Sequence, residues 1–271
     1  MLYIHESNIK NKIDSNYKNL SDELSRFYNE EYLPFRESIQ TLRFADGDND
    51  SFREATELIN GYYDTAFAFQ QEYNIDTRSK FLSTIYEELS VYLFRDHEAI
   101  VNGSFDVFNK GIYAGMKFVD GEDISIVTKD VDFCIGRRIN ITIDDSAPTY
   151  LILPVVCVEV KTYLDATMFG EVKSSSQAIR SATPNSKTYV LMGHKELADD
   201  HIIAARQDSA LTEMFVLRKD ASSPIEAEVL YEYWDEITTA LDGIFEPVAI
   251  ETPGRLLFPS NRQQQMTLFD D

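Results

Sequence analysis

The sequence predicts an α/β fold, in which a mixed central sheet is covered by helices on both faces and is preceded by a helical N-terminal region. Two observations lead to this fold class. Apolar residues recur at helical spacing through the first hundred residues, and from about residue 112 their period changes to two, as in strands. The order of elements along the chain is then helix, three strands, helix, strand, strand, which is typical of a mixed sheet covered by helices on both faces.

The N-terminal region, residues 1–78, is predicted to be helical. The polar run over 46–51 indicates a loop followed by a new helix start, and an amphipathic helix continues from 52 to 69. An earlier helix is indicated by apolar residues on one face, which are Leu20, Leu24, Phe27 and Tyr28.

The segment 79–222 is predicted to form the core domain. It begins with a helix over 79–95, whose apolar face is formed by Leu82, Ile85, Leu89 and Leu93. After a strand over 124–127, a hairpin is predicted, with its turn at Gly136-Arg137-Arg138 between strands 131–135 and 139–143. The next strand spans 150–161, and Pro154 is expected near the beginning of its paired portion.

The core domain is completed by a helix over 169–182 and by two short buried strands, 189–192 and 214–217. The remaining segment, 223–271, is predicted to form a helix over 224–245 and a tail. This order of elements gives helices for both faces of the sheet.

The charge of the chain argues at first against nucleic acid as a partner. Its 271 residues include 46 Asp or Glu and 25 Lys or Arg, which gives a net charge of −21, whereas phosphate binding relies on clustered Lys and Arg. The segment 161–195 is locally neutral to basic, however. Further basic residues lie at Lys10, Lys12, Lys18, Arg137 and Arg138, so we expect a small basic footprint within an acidic exterior.

Composition excludes several other classes of function. Two cysteines give neither a disulfide framework nor a zinc pattern, and the four histidines show no H-E-x-x-H spacing. No glycine-rich nucleotide loop is present. The start of the sequence lacks the layout of a signal peptide, and no apolar run approaches the ~20 residues that span a membrane. We therefore expect a soluble, cytoplasmic protein without a membrane partner.

Charged residues stand at the end of an otherwise apolar strand. Alternate side chains of a strand share a face, so Glu159 and Lys161 are predicted to point one way while Val158 and Val160 pack on the other. In the preceding hairpin Asp130 and Asp132 are predicted to share a face, opposite Val131, Phe133 and Ile135. If the two strands are neighbours, Asp132 and Glu159 converge on one point, where buried charges must be paired or bind metal.

Two carboxylates and a backbone carbonyl form a hard-oxygen site suited to Mg²⁺. Lys161 beside them is placed to hold or deprotonate an attacking water, and the metal would neutralise charge on a scissile phosphate. The alternative is a salt-bridged strand end at the surface. A second Glu-x-Lys, Glu171-Val172-Lys173, lies in a polar stretch and is predicted to be a solvated helix face.

These residues resemble a known family. Asp132 followed by Glu159-Val160-Lys161 is similar to the core of the PD-(D/E)XK nucleases, and the wider sequence resembles the type IIT restriction endonuclease subunits, such as those of BbvCI. The resemblance covers about residues 80–220, and its fold is the restriction-endonuclease-like α/β/α core. It is carried by the segments 129–136, 155–164, 182–184 and 214–218.

The resemblance implies a Mg²⁺-dependent type II endonuclease that cuts double-stranded DNA at a short specific site, with one active site and one cleaved strand per subunit. The partner would be a second nuclease subunit, in a heteromer or a homodimer. Asp132 and Glu159 would be metal ligands, helped by the Val160 carbonyl, and Lys161 would be the catalytic lysine. Val131 stands where the superfamily name expects proline, which leaves the carboxylate chemistry intact.

The family core also has a catalytic glutamate on an early helix. Here it falls at Glu87 or Glu88: the helical pattern places Glu88 nearer the apolar face, whereas the motif match favours Glu87. We choose Glu87.

Two other functions compete with this prediction. One is a less specific DNA repair or antiphage nuclease, which would give a smear of products instead of discrete fragments. The other is a non-enzymatic DNA-binding subunit with a relic nuclease core, against which the intact Asp132, Glu159 and Lys161 argue, since a relic has no reason to retain buried charges.

The tail contains a short segment, Gln265-Met266-Thr267-Leu268-Phe269, that resembles the motif by which bacterial proteins dock on the sliding clamp. Five residues match easily by chance, and a frayed terminus or a packing contact is the alternative.

Overall fold

A computed structural model describes residues 2–119, 123–142, 148–206 and 210–244. Over these residues the chain forms a mixed α/β fold, as the sequence predicts, and its sheet has seven strands. The clamp-like segment 265–269 and most of the loop predicted after residue 143 lie outside the described residues.

Helices form the N-terminal region. Asp48 caps the longest of them, since its carboxylate accepts a hydrogen bond from the backbone N–H of Ser51 at 3.2 Å. The loop and helix start predicted over 46–51 are therefore confirmed. The helices are α1 (Ile4–Asp14), α2 (Ser21–Phe27), α3 (Leu33–Ile39) and α4 (Asn49–Glu72), with a π-helical turn at Tyr28–Tyr32 and a 3₁₀ turn at Tyr17–Asn19.

The sheet is built around one long strand. Its strands are β1 (Asp106–Phe108), β2 (Ile112–Val119), β3 (Asp123–Lys129), β4 (Phe133–Ile141), β5 (Thr149–Leu164), β6 (Lys187–Lys195) and β7 (Glu213–Val216). The order is β1-β4-β5-β2-β3, with β6 added to β5 and β7 added to β6. Strand β5 is antiparallel to β4, and it is parallel to β2 at Ile152 and to β6 from Val156 onward.

The predicted hairpin turn at Gly136-Arg137-Arg138 is wrong, because these residues lie inside β4. The ladder between β4 and β5 continues from Phe133–Val158 to Ile141–Thr149, so β4 pairs with the following strand instead of folding back on itself. Arg137 and Arg138 are exposed side chains along an extended strand.

Pro154 lies in the middle of β5 and not near its beginning. It is opposite Gly136, where the register with β4 shifts, because a proline has no N–H for the ladder and is tolerated at such a bulge. A Cβ at residue 136 would lie 2.5 Å from the Leu153 carbonyl oxygen, so the close approach of the strands requires glycine. Towards β6, pairing begins only at Val156.

Helices cover both faces of the sheet. One face packs against the N-terminal helices, α5 (Ser83–Phe94) and α9 (Ala227–Asp242), and contributes Val158 and Val160 to the largest apolar core. The other face packs against α7 (Ala166–Ala182) and α8 (Asp199–Arg206). A short helix, α6 (Glu98–Val101), follows α5. In the described part of the chain, no helix has the length and apolar character needed to cross a bilayer.

Helix α5 is buried almost all round, from Thr84 to Phe94, between the N-terminal helices and the sheet. A helix in this position is normally apolar on every side. Two consecutive glutamates, Glu87 and Glu88, are nevertheless buried in it, which calls for partners for both carboxylates.

Candidate active site

Three charged side chains meet where the ladder between β4 and β5 ends. The Oδ2 atom of Asp132 accepts hydrogen bonds from the Val160 N–H at 2.9 Å and from Lys161 Nζ at 3.0 Å. Lys161 Nζ also lies 3.0 Å from Oε2 of Glu159. The structure thus brings Asp132, Glu159 and Lys161 together, with Lys161 bridging the two carboxylates.

The position of Asp132 follows from the pairing of the strands. The last pair of the ladder is Phe133–Val158, so the N–H of Val160 lies beyond the end of β4. Asp132, directly before β4, supplies the missing acceptor with its carboxylate. Glu159 and Lys161 therefore lie within β5, beside the end of β4, and not at the end of their own strand as predicted.

The expected alternation around Asp132 is also wrong in part. Residues 130–132 connect β3 to β4 and are not part of a strand. Val131 consequently packs with Cys134, on the sheet face opposite Phe133. Asp130 is exposed and accepts a hydrogen bond from the Gly111 N–H at 3.0 Å.

Glu87 and Glu88 leave α5 in different directions. Glu87 is buried, and its Oε1 atom has no hydrogen-bond partner and lies 3.8 Å from the Lys80 ammonium. Glu88 is saturated by four donors. These are the backbone N–H groups of His5 and Glu6 and the hydroxyl groups of Tyr32 and Tyr92, at 2.8, 3.2, 2.7 and 2.6 Å.

Lys80 is a member of the cluster that sequence reasoning missed. It directly follows a 3₁₀ turn, Thr77–Ser79, and its ammonium lies 2.5 Å from Oδ1 of Asp132. No local pattern could have identified it, because its contact with Asp132 depends on the fold of a turn 52 residues earlier in the chain.

Burial and mutual charge set the protonation of the cluster. Burial, together with the charge of Asp132, raises the pKa of Glu87 to about 8, and burial likewise raises the pKa of Glu159. Burial would raise the pKa of Asp132 as well, but the ammonium groups of Lys161 and Lys80 outweigh it and lower that pKa. Conversely, burial would lower the pKa of both lysines, but the carboxylates raise it. Both lysines are therefore charged at neutral pH.

The cluster opens into a cleft between α1 and the sheet. A cavity of about 510 Å³ is lined by Glu87, Asp132, Glu159 and Lys161 on one side and by polar residues of α1 on the other, namely Ser7, Asn8 and Asn11. Asn109 and Lys110 line the same cavity. A second cavity of about 310 Å³ adjoins it at Lys80 and Lys161. Glu159, Lys161 and Lys80, the more exposed members of the cluster, are thus accessible to a polar ligand.

The donor set fits a hard divalent cation in its chemistry. Carboxylate and carbonyl oxygens are the ligands that Mg²⁺ prefers, and the buried Oε1 of Glu87 has no partner, which a nearby cation would satisfy. The N–H and carbonyl of a strand residue face the same edge, so the Val160 carbonyl faces the edge on which Asp132 lies. Within the described segments, no three His, Cys, Asp or Glu side chains lie close enough together to hold a metal ion. The ammonium groups of Lys80 and Lys161 are instead hydrogen-bonded to the carboxylate oxygens of the cluster.

Some basic residues predicted for DNA binding are engaged elsewhere. Lys12 is buried, burial lowers its pKa to about 8, and its ammonium donates to the Ser79 carbonyl at 2.9 Å. Arg138 lies over the Tyr150 ring, 4.7 Å from its centroid. The second Glu-x-Lys, Glu171 to Lys173, lies on α7 as expected.

Comparison with known proteins agrees with this fold. The sequence matches the Bpu10I restriction endonuclease family over residues 79–236, which is more than half of the chain. The fold is similar to the solved structure described as "native BbvCI A2B2 tetramer at low resolution", with a TM-score of 0.72 and 16% sequence identity, over 92% of this chain and 100% of that chain. No curated protein matches the sequence. The predicted resemblance to the type IIT restriction endonuclease subunits is confirmed, and the chain belongs to the Bpu10I restriction endonuclease family.

Proposed function

We propose that this chain is a subunit of a Mg²⁺-dependent type II restriction endonuclease, which hydrolyses double-stranded DNA at a short specific site and cuts one strand per subunit. The observation that carries the proposal is the Asp132–Lys161–Glu159 cluster, with bonds of 3.0 Å from Lys161 to each carboxylate. It lies within the segment that matches the restriction endonuclease family.

Asp132, Glu159 and the Val160 carbonyl are the groups proposed to hold Mg²⁺. Asp132 is fixed for this role, because the Val160 N–H and Lys161 orient its carboxylate and a lowered pKa keeps it ionised. When bound, Mg²⁺ would stabilise the negative charge that develops on the phosphate during hydrolysis.

Lys161 is proposed to act as a charged hydrogen-bond donor. Its carboxylate neighbours raise its pKa, so it holds its proton at neutral pH and does not serve as a base in this arrangement. An ammonium here can orient the attacking water or donate to a phosphate oxygen, which stabilises charge formed in the transition state. The two carboxylates keep Nζ directed at the cleft.

Glu87 is proposed as the fourth catalytic residue. Its unpartnered Oε1 faces the Lys80 side of the cluster, where it can accept a hydrogen bond from a water molecule. Glu88 cannot take this role, since its oxygens already receive four hydrogen bonds from the N-terminal region and from α5 itself.

The cleft is proposed to receive double-stranded DNA. Lys161, Lys80 and Lys110 line it, whereas the chain as a whole has a charge of −21. An acidic exterior repels DNA away from the cleft, so contacts to phosphate would be few and local. A cluster that cuts one strand needs a second active site, in another copy of this chain or in a different nuclease subunit, to cut both.

Digestion of a sequenced circular plasmid tests this function. The protein is incubated with Mg²⁺ or EDTA, alone and with a candidate second subunit, and the ends of the products are sequenced. Discrete fragments with a constant end sequence, formed only with Mg²⁺, are expected. A smear would indicate a nuclease of loose specificity, and an unchanged plasmid under all conditions would contradict the proposal.

A further inference from the structure

The two carboxylate oxygens of Asp132 have different partners. Oδ2 accepts from the backbone of Val160 and from Lys161, both of which belong to β5. Oδ1 accepts from Lys80, at 2.5 Å. Since Oδ2 is held by the sheet itself, Oδ1 is the oxygen that Asp132 can offer to a cation, and the Lys80 ammonium occupies it.

The backbone that carries Lys80 is held in place by α1. The carbonyl of Ser79 accepts hydrogen bonds from Lys12 Nζ at 2.9 Å and from the Asn8 amide at 3.0 Å. Lys80 itself has a φ of 59°, a left-handed conformation that is uncommon for a residue with a side chain. The backbone of Lys80 is therefore held by tertiary contacts to Ser79 as well as by its own turn, in which the Lys80 N–H donates to the Thr77 carbonyl at 3.2 Å.

The side chain of Lys80 is more exposed than that of Lys161, although its ammonium is bonded to Asp132. It is 56% exposed, compared with 25% for Lys161, and lysine has a flexible four-carbon stem. Lys80 lines both cavities of the site: the larger one, which contains Glu87 and Asp132, and the smaller one, which is also lined by Thr162 and Tyr163. A rotation of the stem would move the ammonium from one cavity into the other without a change in the backbone.

We propose that Lys80 is a displaceable internal cation of the active site. It neutralises Asp132 through Oδ1 and yields that oxygen to a divalent cation. Its ammonium then turns into the adjoining cavity beside Thr162 and Tyr163, where it can contact a DNA phosphate. This inference rests on the metal site of the proposed function. The reason is electrostatic: two cations repel each other at one carboxylate oxygen, so Lys80 and the metal exclude each other there.

Calorimetric titration of Mn²⁺ into the full chain, without DNA, tests the proposal. Lys80→Met keeps the stem and removes the charge, so it is expected to bind Mn²⁺ about tenfold more tightly than the wild type. Lys80→Arg retains a cation and is expected to bind no more tightly. Lys80→Met that binds Mn²⁺ with unchanged or lower affinity would overturn the proposal.

Arg78→Met is the matched control. Arg78 lies in the same turn, is 90% exposed and pairs with Asp76 instead of Asp132. Its substitution removes one positive charge nearby without vacating Oδ1, so the Mn²⁺ affinity should stay within about twofold of the wild type. An equal gain in Arg78→Met and Lys80→Met would show a general charge effect and would refute the displacement.

Asp132→Asn separates the two proposals. The Lys80 inference fails alone if three results are found together: the wild type binds Mn²⁺, Asp132→Asn does not bind it, and Lys80→Met binds it no more tightly than the wild type. If neither the wild type nor Lys80→Met has a Mn²⁺ site that Asp132→Asn removes, the metal site and the Lys80 inference fail together. Thermal unfolding of each variant confirms that the proteins compared are folded.

Discussion

The carboxylates of Glu87 and Glu88 lie in separate clusters, although the two residues are consecutive in α5. Glu88 is bonded to the N-terminal helices and to Tyr92, whereas Glu87 has an oxygen without a hydrogen-bond partner, 3.8 Å from Lys80. The two residues differ by a rotation of about 100° on the helix. Glu88 therefore binds the N-terminal region to α5, whereas Glu87 lies in the proposed active site.

This difference predicts that the two amide substitutions affect different properties, stability for Glu88 and cleavage rate for Glu87. Glu88→Gln replaces an oxygen acceptor by an NH₂ donor and leaves buried donors unpaired, so it should destabilise the fold by about 2–4 kcal/mol. Glu87→Gln should lower the rate of DNA cleavage by about tenfold or more, without that loss of stability. Urea unfolding and plasmid cleavage measure the two effects. Equal stability losses in both variants would contradict the assignment.

The raised pKa of Glu87 predicts a pH dependence. Between its ordinary value of 4.5 and its value in the fold, about 8, the folded protein retains a proton that the unfolded chain has released. The stability that depends on this proton is present below pH 4.5 and is lost as the pH rises through 8. Glu87→Gln lacks this titration. As the pH rises from 5 to 9, its free energy of unfolding minus that of the wild type should therefore increase by a few kcal/mol.

Urea unfolding of both proteins in EDTA at several pH values measures this gain. His5 acts in the opposite direction, because burial lowers its pKa from 6.5 to about 3 and stability is lost as the pH falls below 6.5. His5 is present in both proteins, so its effect cancels in the difference. A difference that is independent of pH would contradict the raised pKa of Glu87.

The fold class could be predicted from the sequence because it depends on the periodicity of apolar residues. The pairing of strands could not, as Gly136 and Arg138 show. Gly, Arg and Arg between two apolar runs resemble a turn, yet Gly136 lies opposite Pro154 in a continuous ladder. Its small size serves the approach of two strands, and a sequence alone does not reveal which strand will lie opposite.

The site could be predicted where a strand fixes the spacing of its residues. Glu159 and Lys161 share a face because alternate residues of a strand do so. Lys80 could not be found, because its position depends on a left-handed residue and on hydrogen bonds from α1 to Ser79. The choice between Glu87 and Glu88 depends in the same way on Tyr32 and on the N–H groups of α1.

The small basic footprint predicts a weak dependence of DNA binding on salt. Few lysines line the cleft, so a plot of log affinity against log salt should have a slope of about −2 to −4, as a few phosphate contacts release few counterions. Fluorescence anisotropy with a cognate duplex and Ca²⁺ in place of Mg²⁺ measures the slope. A slope steeper than about −8 would show a much larger basic surface.

The proposed assignment of one active site to each subunit predicts nicking by a half-inactive enzyme. When a subunit with Asp132→Asn is assembled with an active partner subunit, one strand should still be cut, and supercoiled plasmid should accumulate as open circles instead of linear DNA. Agarose gel electrophoresis separates the two products. Linear DNA formed at the wild-type rate would contradict the assignment of one strand to each active site.

The central claim is that Asp132, Glu159 and Lys161 form the catalytic centre, and the two Glu-x-Lys segments of the chain offer a matched comparison. Lys161→Met removes the bridging lysine of the cluster, whereas Lys173→Met makes the same change in α7. The most direct measurement is the rate of plasmid cleavage by the two variants with Mg²⁺, once both are shown to fold. We expect Lys161→Met to be slower than the wild type by about 10³-fold and Lys173→Met to keep its rate. Wild-type cleavage by Lys161→Met would contradict the account.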